Sequence, residues 1–235
     1  KMPTWRRSFL NAFSKAELPL DAMAGLYNGL LKQSGLDVSE YQPWLARLIK
    51  ERRYMQAYVT WAQLIPENQR KYLGNVFDGG FEVPQEEQFG NFAWNTRPTK
   101  GAQMYWARSR GVMGETAFFV HFEGGRTPFS NLQQVLVLPP GKWHLRYRAK
   151  ANNLDTERGV IWRISCLNDS STLAESSPMR GMFNWQEFSL DFTIPESCGG
   201  QNLTLMIPAR IPAETQVRGD LWLDEVSIQP TESKL

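Results

Sequence analysis

Beyond residue 75 the chain repeatedly alternates apolar and polar residues with a period of two, the mark of strands with one buried face. Phe118, Val120 and Phe122 alternate with Phe119, His121 and Glu123. Trp143, Leu145, Tyr147 and Ala149 alternate with His144, Arg146, Arg148 and Lys150. Val160, Trp162, Ile164 and Cys166 repeat the pattern, as do Phe188, Leu190, Phe192 and Ile194, and then Leu203, Leu205 and Ile207. In each case the first set is expected in the core. Turn-forming residues separate the runs at Pro139-Pro140-Gly141, Asn152-Asn153, Pro195 and Cys198-Gly199-Gly200, where the chain needs φ fixed or freed. The segments Asn75 to Glu82 and Gly219 to Ile228 read as the first and last strands. Many short strands with almost no helical pattern predict an antiparallel β-sandwich over 75–235.

Residues 1–74 have a different period. Leu20, Met23, Leu26, Tyr27, Leu30 and Leu31 recur at helical spacing, followed by Trp44, Leu45, Leu48 and Ile49, and then by Tyr54, Ala57, Tyr58, Trp61 and Leu64. Asp21 and Ser39 stand where helices start, Gly35 and Pro66 where they stop. The predicted class is therefore α+β, with a small helical region packed against the sandwich. The run from Tyr41 to Leu64 resembles part of a tetratricopeptide repeat, with Tyr54, Ala57, Trp61 and Leu64 at the spacing of its second helix. Leu45 stands where that repeat usually places a small residue. A single such unit must pack on a neighbour to bury its face.

Three stretches carry a second resemblance. Asn75-Val76-Phe77-Asp78-Gly79-Gly80-Phe81-Glu82 resembles the first strand of carbohydrate-binding modules of families 4, 9 and 22. Leu132 to Ala151 resembles their central hairpin, with a Gln-x-Val strand, a Pro-Gly turn and a strand ending in Ala-Lys-Ala. Trp185, Phe188 to Pro195 and Leu221 to Ile228 resemble their closing strands. The resemblance implies a galactose-binding-like jelly roll that binds glycan on its concave face or at loops along one edge. It also implies a structural calcium between the first and last strands, with Glu82 and Asp224 at the matching positions and Asp78 as a third carboxylate. Calcium needs six to eight oxygens, so backbone carbonyls would have to complete the set.

Sugar recognition uses flat rings under the apolar face of a pyranose and polar groups on its hydroxyls. By strand parity Trp143, Trp162 and Trp222 belong to a core, and by helix parity so do Trp44 and Trp61. Trp94, Tyr105, Trp106 and Trp185 remain as candidate platforms. His121, Arg146, Arg148 and Arg163 are expected to converge on the outward face of one sheet, where guanidinium groups suit carboxylate or sulfate. An acidic polysaccharide is the ligand this composition favours.

Charge narrows the alternatives. A formal net charge of +2 is too small for a nucleic-acid surface. Residues 1–74 hold 11 basic and 6 acidic residues, a net of +5 that leaves −3 for the remainder. Arg47, Lys50, Arg52 and Arg53 cluster at one inter-helix turn, as cations near a helix C-terminus do. No apolar run approaches the ~20 residues needed to span a bilayer.

With two histidines and no Cys-x-x-Cys, metal and triad chemistry have little material. Cys166 and Cys198 could form a disulfide in an exported protein, or lie free in the core. No signal peptide is visible, since Lys1 to Arg7 is not followed by an apolar run. The Lys before Met2 suggests a trimmed chain, and the expected location is periplasmic or secreted. Two further readings stand beside non-catalytic glycan binding in an exopolysaccharide synthesis, export or attachment setting. One is an adaptor that docks a protein partner through the Trp44 and Trp61 region. The other is a polysaccharide lyase or glycanase built on His121, Glu123 and Arg148.

Overall fold

The computed structural model describes residues 5–16, 18–34, 38–111 and 113–231, without the side chains of 31–34. The chain forms two compact units, Lys1–Pro66 and Glu67–Leu235.

The first unit carries helices α1 (Arg6–Lys15), α2 (Leu20–Ser34), α3 (Val38–Lys50) and α4 (Tyr54–Leu64). The last three follow the apolar spacing; Gly35, read as the stop of α2, lies outside the described residues. Helix α1 is an addition to the sequence reading. Its buried face is Arg6, Leu10 and Ser14, so two of its inward positions are polar. Arg6 is held there by a two-bond contact with Glu40 of α3, Nε to Oε1 and Nη2 to Oε2, both 2.6 Å. Such a bidentate pair satisfies both charges in a site where either alone would be costly. At the other end, Arg47 of α3 donates to the Ala16 carbonyl (2.9 Å) and pairs with Glu51 (2.8 Å). That member of the basic cluster is thus a helix-end contact, not a ligand site. Tyr27 stacks on Trp44 at 5.5 Å; Trp44 and Trp61 are 3% and 0% exposed. The two tryptophans assigned to docking are therefore buried side chains, not surface ones.

The second unit is the expected jelly roll of two antiparallel five-stranded sheets. Strands β1 (Asn95–Thr96), β4 (Leu132–Leu136), β9 (Gln201–Met206), β6 (Ile161–Cys166) and β7 (Thr172–Glu175) form one, in the order β1-β4-β9-β6-β7. Strands β2 (Ala102–Arg108), β3 (Thr116–Arg126), β10 (Gln216–Pro230), β5 (Gly141–Thr156) and β8 (Gly181–Ile194) form the other, in the order β2-β3-β10-β5-β8. Both inner faces are apolar, as the alternation requires: Phe118, Val120, Phe122, Leu145, Tyr147, Leu221 and Leu223 from one sheet, and Leu132, Leu136, Trp162, Ile164, Leu203 and Leu205 from the other, make one core.

Two sequence expectations change here. Asn75 to Glu82 is a turn, not a strand. Asp78 and Phe81 have φ of 50° and 55°, and the Asp78 carboxylate accepts the N–H groups of Glu82 (2.8 Å) and Val83 (3.0 Å), a side-chain substitute for a ladder. The segment still closes the sandwich, because Val226 N–H donates to the Gly79 carbonyl at 2.9 Å. A Cβ on Gly79 would lie 1.8 Å from the Val226 oxygen, so only glycine permits this approach. Leu132 to Ala151 is likewise no hairpin. Strand β4 pairs with β1 and β9, and β5 with β10 and β8, so the Pro139-Pro140 corner carries the chain from one sheet to the other.

Cys166, at the end of β6, is disulfide-bonded to Cys198 in the loop before β9, with Cα atoms 5.7 Å apart, inside the usual range.

Candidate binding face

Alternation along β2, β3, β10 and β5 sends Tyr105, Phe119, Trp222 and Lys150 to the outward face of their sheet. Register then makes them neighbours. Tyr105 lies opposite Phe119, Phe119 opposite Trp222, and Trp222 opposite Lys150, so one residue from each of four adjacent strands forms a single row. Ring centroids are 5.0 Å apart for Tyr105 and Phe119, and 4.8 Å for Phe119 and Trp222. The Lys150 Nζ stands 4.8 Å from the Trp222 ring centre. Tyr105 is 47% exposed and Trp222 half-buried. Parity assigned Trp222 to the core; the structure corrects this, because its neighbours Leu221 and Leu223 take the inward positions.

A polar row flanks the aromatic one. His121 Nδ1 lies 2.7 Å from Asp220 Oδ1, and Gln103 donates to Glu123 at 2.8 Å. On the other side, Arg148 Nη1 donates to the Glu225 carboxylate (2.9 Å) and to the Gly111 carbonyl (3.1 Å). Its guanidinium stands 5.8 Å from the Trp185 ring. Trp185 Nε1–H donates to the Arg110 carbonyl (3.0 Å). Arg148 and Trp185 thereby hold the connection between β2 and β3 over this end of the face. Gly111, at φ +85°, fits against Trp185, where a Cβ would approach to 3.0 Å.

Of the remaining sequence candidates, Arg146 lies on this face and pairs with Glu187 at 2.5 Å. Glu187 is held below its usual carboxylate range by that hydrogen bond and charge. Arg146 and Arg148 line a cavity of ≈ 390 Å³ with Glu187 and Glu225. Arg163 belongs to β6 in the opposite sheet and pairs with Glu175 at 2.6 Å; equal strand parity in two different sheets cannot converge. Trp94 is 3% exposed, stacks on Phe81 at 5.1 Å and donates to the Asp78 carbonyl (2.9 Å). Trp106 points inward, edge-on to Phe81 and Phe118 at 5.5 and 5.7 Å. Both are core residues, since Tyr105 takes the outward position of β2. The structure thus brings Tyr105, His121, Arg146, Arg148 and Trp185 to one face and leaves Trp94, Trp106 and Arg163 elsewhere. It adds Phe119, Trp222 and Lys150. Their residue types signalled nothing locally; only the cross-strand register joins them.

His121 and Arg148 fall on opposite sides of the aromatic row, next to Asp220 and Asp224 respectively. They do not meet as a base and a charge-neutralising group. A larger depression of ≈ 820 Å³ lies where β5 and β8 part, lined by Asn153 to Thr156, Arg180 to Met182, Arg218 and Gly219. None of its lining residues is aromatic, and Arg218 there is paired with Asp155 (3.1 Å).

The carboxylates proposed for calcium sit beneath the covered end of the face. Burial pushes Asp78 up to about 7, against the lowering effect of the Val83 and Glu82 N–H groups, with the Glu82 and Asp224 charges adding to the rise. Burial likewise raises Asp224 to about 7, against hydrogen bonds from Glu225 and Met113. Asp78 is spent on backbone N–H groups, and Glu82 Oε1 accepts from Glu115 and Thr116 at 2.9 and 3.1 Å. Asp224 is 0% exposed; its Oδ2 accepts from Met113 N–H (3.1 Å) and, among the described residues, its Oδ1 has no hydrogen-bond partner. Among the described residues no three His, Cys, Asp or Glu side chains form a metal-holding group. What suits a hard cation here is the buried Asp224 Oδ1; Asp78 and Glu82 already serve backbone N–H groups.

No protein-family model matches the chain, and no curated protein matches it. Its structure is similar to that of a family 4 carbohydrate-binding module, with a TM-score of 0.47, 13% identity, and coverage of 66% of this chain and 99% of that one. It is similar to the xylan-binding CBM22-1 domain of Paenibacillus barcinonensis Xyn10C, with a TM-score of 0.42, 12% identity, and coverage of 66% and 93%. It is also similar to TmCBM61, solved with β-1,4-galactotriose, with a TM-score of 0.43, 18% identity, and coverage of 68% and 98%.

Proposed function

We propose that the outward face of the β2-β3-β10-β5-β8 sheet binds a polysaccharide without cleaving it, the sugar chain lying across the strands along Tyr105, Phe119 and Trp222. The observation that carries this reading is the aromatic row itself. The three rings stand in register on the outward side of the sheet and outside its core cluster. Tyr105 is 47% exposed and Trp222 half-buried, while Phe119, 9% exposed, is the packed centre between them. Aromatic surface offered at the two ends of such a row suits stacking under sugar rings. At a strand spacing of about 4.8 Å, a row across four strands is long enough for a short oligosaccharide stretch. The polar row of Gln103, His121, Asp220 and Glu123 supplies hydrogen-bonding groups for hydroxyls. An acidic polymer is the favoured class, because β5 sends to this face, beside three cationic side chains that already have carboxylate partners, Lys150, whose ammonium lies over the Trp222 ring.

The Cys166–Cys198 disulfide supports an oxidising, extracytoplasmic location, and with it a role in polysaccharide synthesis, export or attachment. Calcium at Asp224 is part of the proposal: Asp224 Oδ1 would hold the ion with Glu82 and Asp78 nearby, and the bound charge would brace the β10 end against the Gly79 turn. The test of the reading is intrinsic fluorescence. Saturating alginate is expected to shift Trp emission in the native chain and to leave a Trp222→Phe variant unchanged; an equal shift in both sinks the assignment of the face.

A second reading, a protein adaptor, is favoured by one observation. Trp5, Phe9 and Phe13 form an aromatic stripe along α1, with Trp5 62% exposed and centroid distances of 5.9 and 5.6 Å.

A further inference from the structure

Strand β5 places four side chains able to carry positive charge on the outward face, and three already have carboxylate partners. His144 Nδ1 lies 2.5 Å from Asp191, Arg146 bonds Glu187 and Arg148 bonds Glu225. An incoming ligand carboxylate at any of these would replace one anion by another and return the displaced one to water, which changes little. Lys150 differs. Among the described residues it meets the Trp222 ring, whose centre is 4.8 Å from Nζ, and no salt bridge holds it. A cation over an aromatic face is bound more weakly than a cation in a charge-assisted hydrogen bond to a carboxylate, and the ammonium has three donors to offer.

Trp222 stands between two neighbours in its row: Phe119 on the β3 side, at 4.8 Å, and Lys150 on the β5 side. The Lys150 side chain therefore covers indole surface that a sugar ring would use.

We infer that Lys150 is the specificity-determining residue of this face, releasing Trp222 when its ammonium moves to an anionic group carried by the sugar. This rests on the glycan-binding reading above. The ligand class it selects is a sugar bearing a carboxylate or sulfate next to the ring that stacks on Trp222. A neutral chain must displace Lys150 from the indole and gives its charge no new partner. An acidic chain gives it one. The cation thus acts as a cover toward neutral glycans and as a receptor toward acidic ones, so removing it should move the two affinities in opposite directions.

The experiment is calorimetric titration of the full chain and of Lys150→Ala, Lys150→Arg, Arg163→Ala and Trp222→Ala variants with alginate oligosaccharides, dextran sulfate fragments and neutral β-glucan oligosaccharides. Lys150→Ala is expected to weaken the acidic ligands about tenfold, the worth of roughly one hydrogen bond to a charged group, while neutral binding is kept or tightened. Whichever of alginate and dextran sulfate shows the larger loss identifies the anion. Arg163→Ala, on the opposite sheet, should preserve the preference for acidic ligands, and Lys150→Arg should restore it. Equal weakening of acidic and neutral ligands by Lys150→Ala, or no change with either, overturns the inference while binding lost in Trp222→Ala still upholds the face. Failure of the native chain to bind any of the three overturns both.

Discussion

Phe119 and Trp222 lie opposite each other on β3 and β10, ring centroids 4.8 Å apart, on the solvent side of a sheet whose core is complete without them. This pair separates two kinds of tryptophan in the molecule. Trp222→Ala should abolish glycan binding, at least tenfold in Kd, with only a small change in stability. Trp106→Ala, which removes an indole packed on Phe81 and Phe118, should instead destabilise the sandwich by about 3 kcal/mol. Paired urea titrations and binding isotherms check this; a Trp106→Ala protein of native stability that has lost only binding would reverse the assignment.

Trp222 also shows where the sequence stops being legible. In Leu221-Trp222-Leu223 every residue is apolar, so alternation has no contrast and the outward ring reads as core, whereas Phe119, which shares its side of β3 with His121 and Glu123, reads as outward. Along β5, by contrast, Trp143 to Lys150 alternates cleanly, and its inward and outward sides were readable. Helix α1 stayed hidden because its inward positions include Arg6 and Ser14, which count as polar until Glu40 is found beside Arg6. The Asn75 to Glu82 turn depends on the Asp78 side chain taking the place of a strand partner. The membership of β4 and β5 in different sheets, like the separation of Arg163 from Arg146, is a matter of topology that local periodicity does not carry. The binding row is the extreme case, since its four residues come from four strands.

Asp224 makes a calcium prediction independent of any ligand. Its Oδ1 is buried without a hydrogen-bond partner among the described residues, so millimolar calcium should raise the melting temperature at neutral pH by several degrees, and Asp224→Ala should remove the calcium effect. Differential scanning calorimetry with and without a chelator decides it. An unchanged Tm in the native protein would mean that the orphaned oxygen is satisfied in another way.

Glu214 sets an acid limit. Arg158 and the Arg210 N–H hold its carboxyl down from 4.5 to about 2, so the folded state binds the proton more weakly than the unfolded chain does. The stabilisation is present above about pH 4.5 and is lost as pH falls toward 2. Arg158→Ala should flatten the slope of unfolding free energy against pH in that window, and an unaltered slope would remove the pair from the account.

Cys166 and Cys198 close a loop with a sequence separation of 32. Chain-entropy arguments put the resulting stabilisation at about 3 to 4 kcal/mol. Reduction, or the double substitution to alanine, should lower the urea midpoint and, by freeing the unfolded chain, somewhat steepen the slope, and a midpoint indifferent to reductant would contradict a formed disulfide.

The central claim is that the aromatic row holds a polysaccharide and leaves its bonds intact. Affinity electrophoresis of the full chain through gels containing alginate or neutral glucan, with a parallel assay for new reducing or unsaturated ends, tests it most directly. The expected result is retardation in the alginate gel, none of it in Trp222→Ala, and no new ends. Migration unaffected by every polymer, or the appearance of cleaved ends, would contradict it.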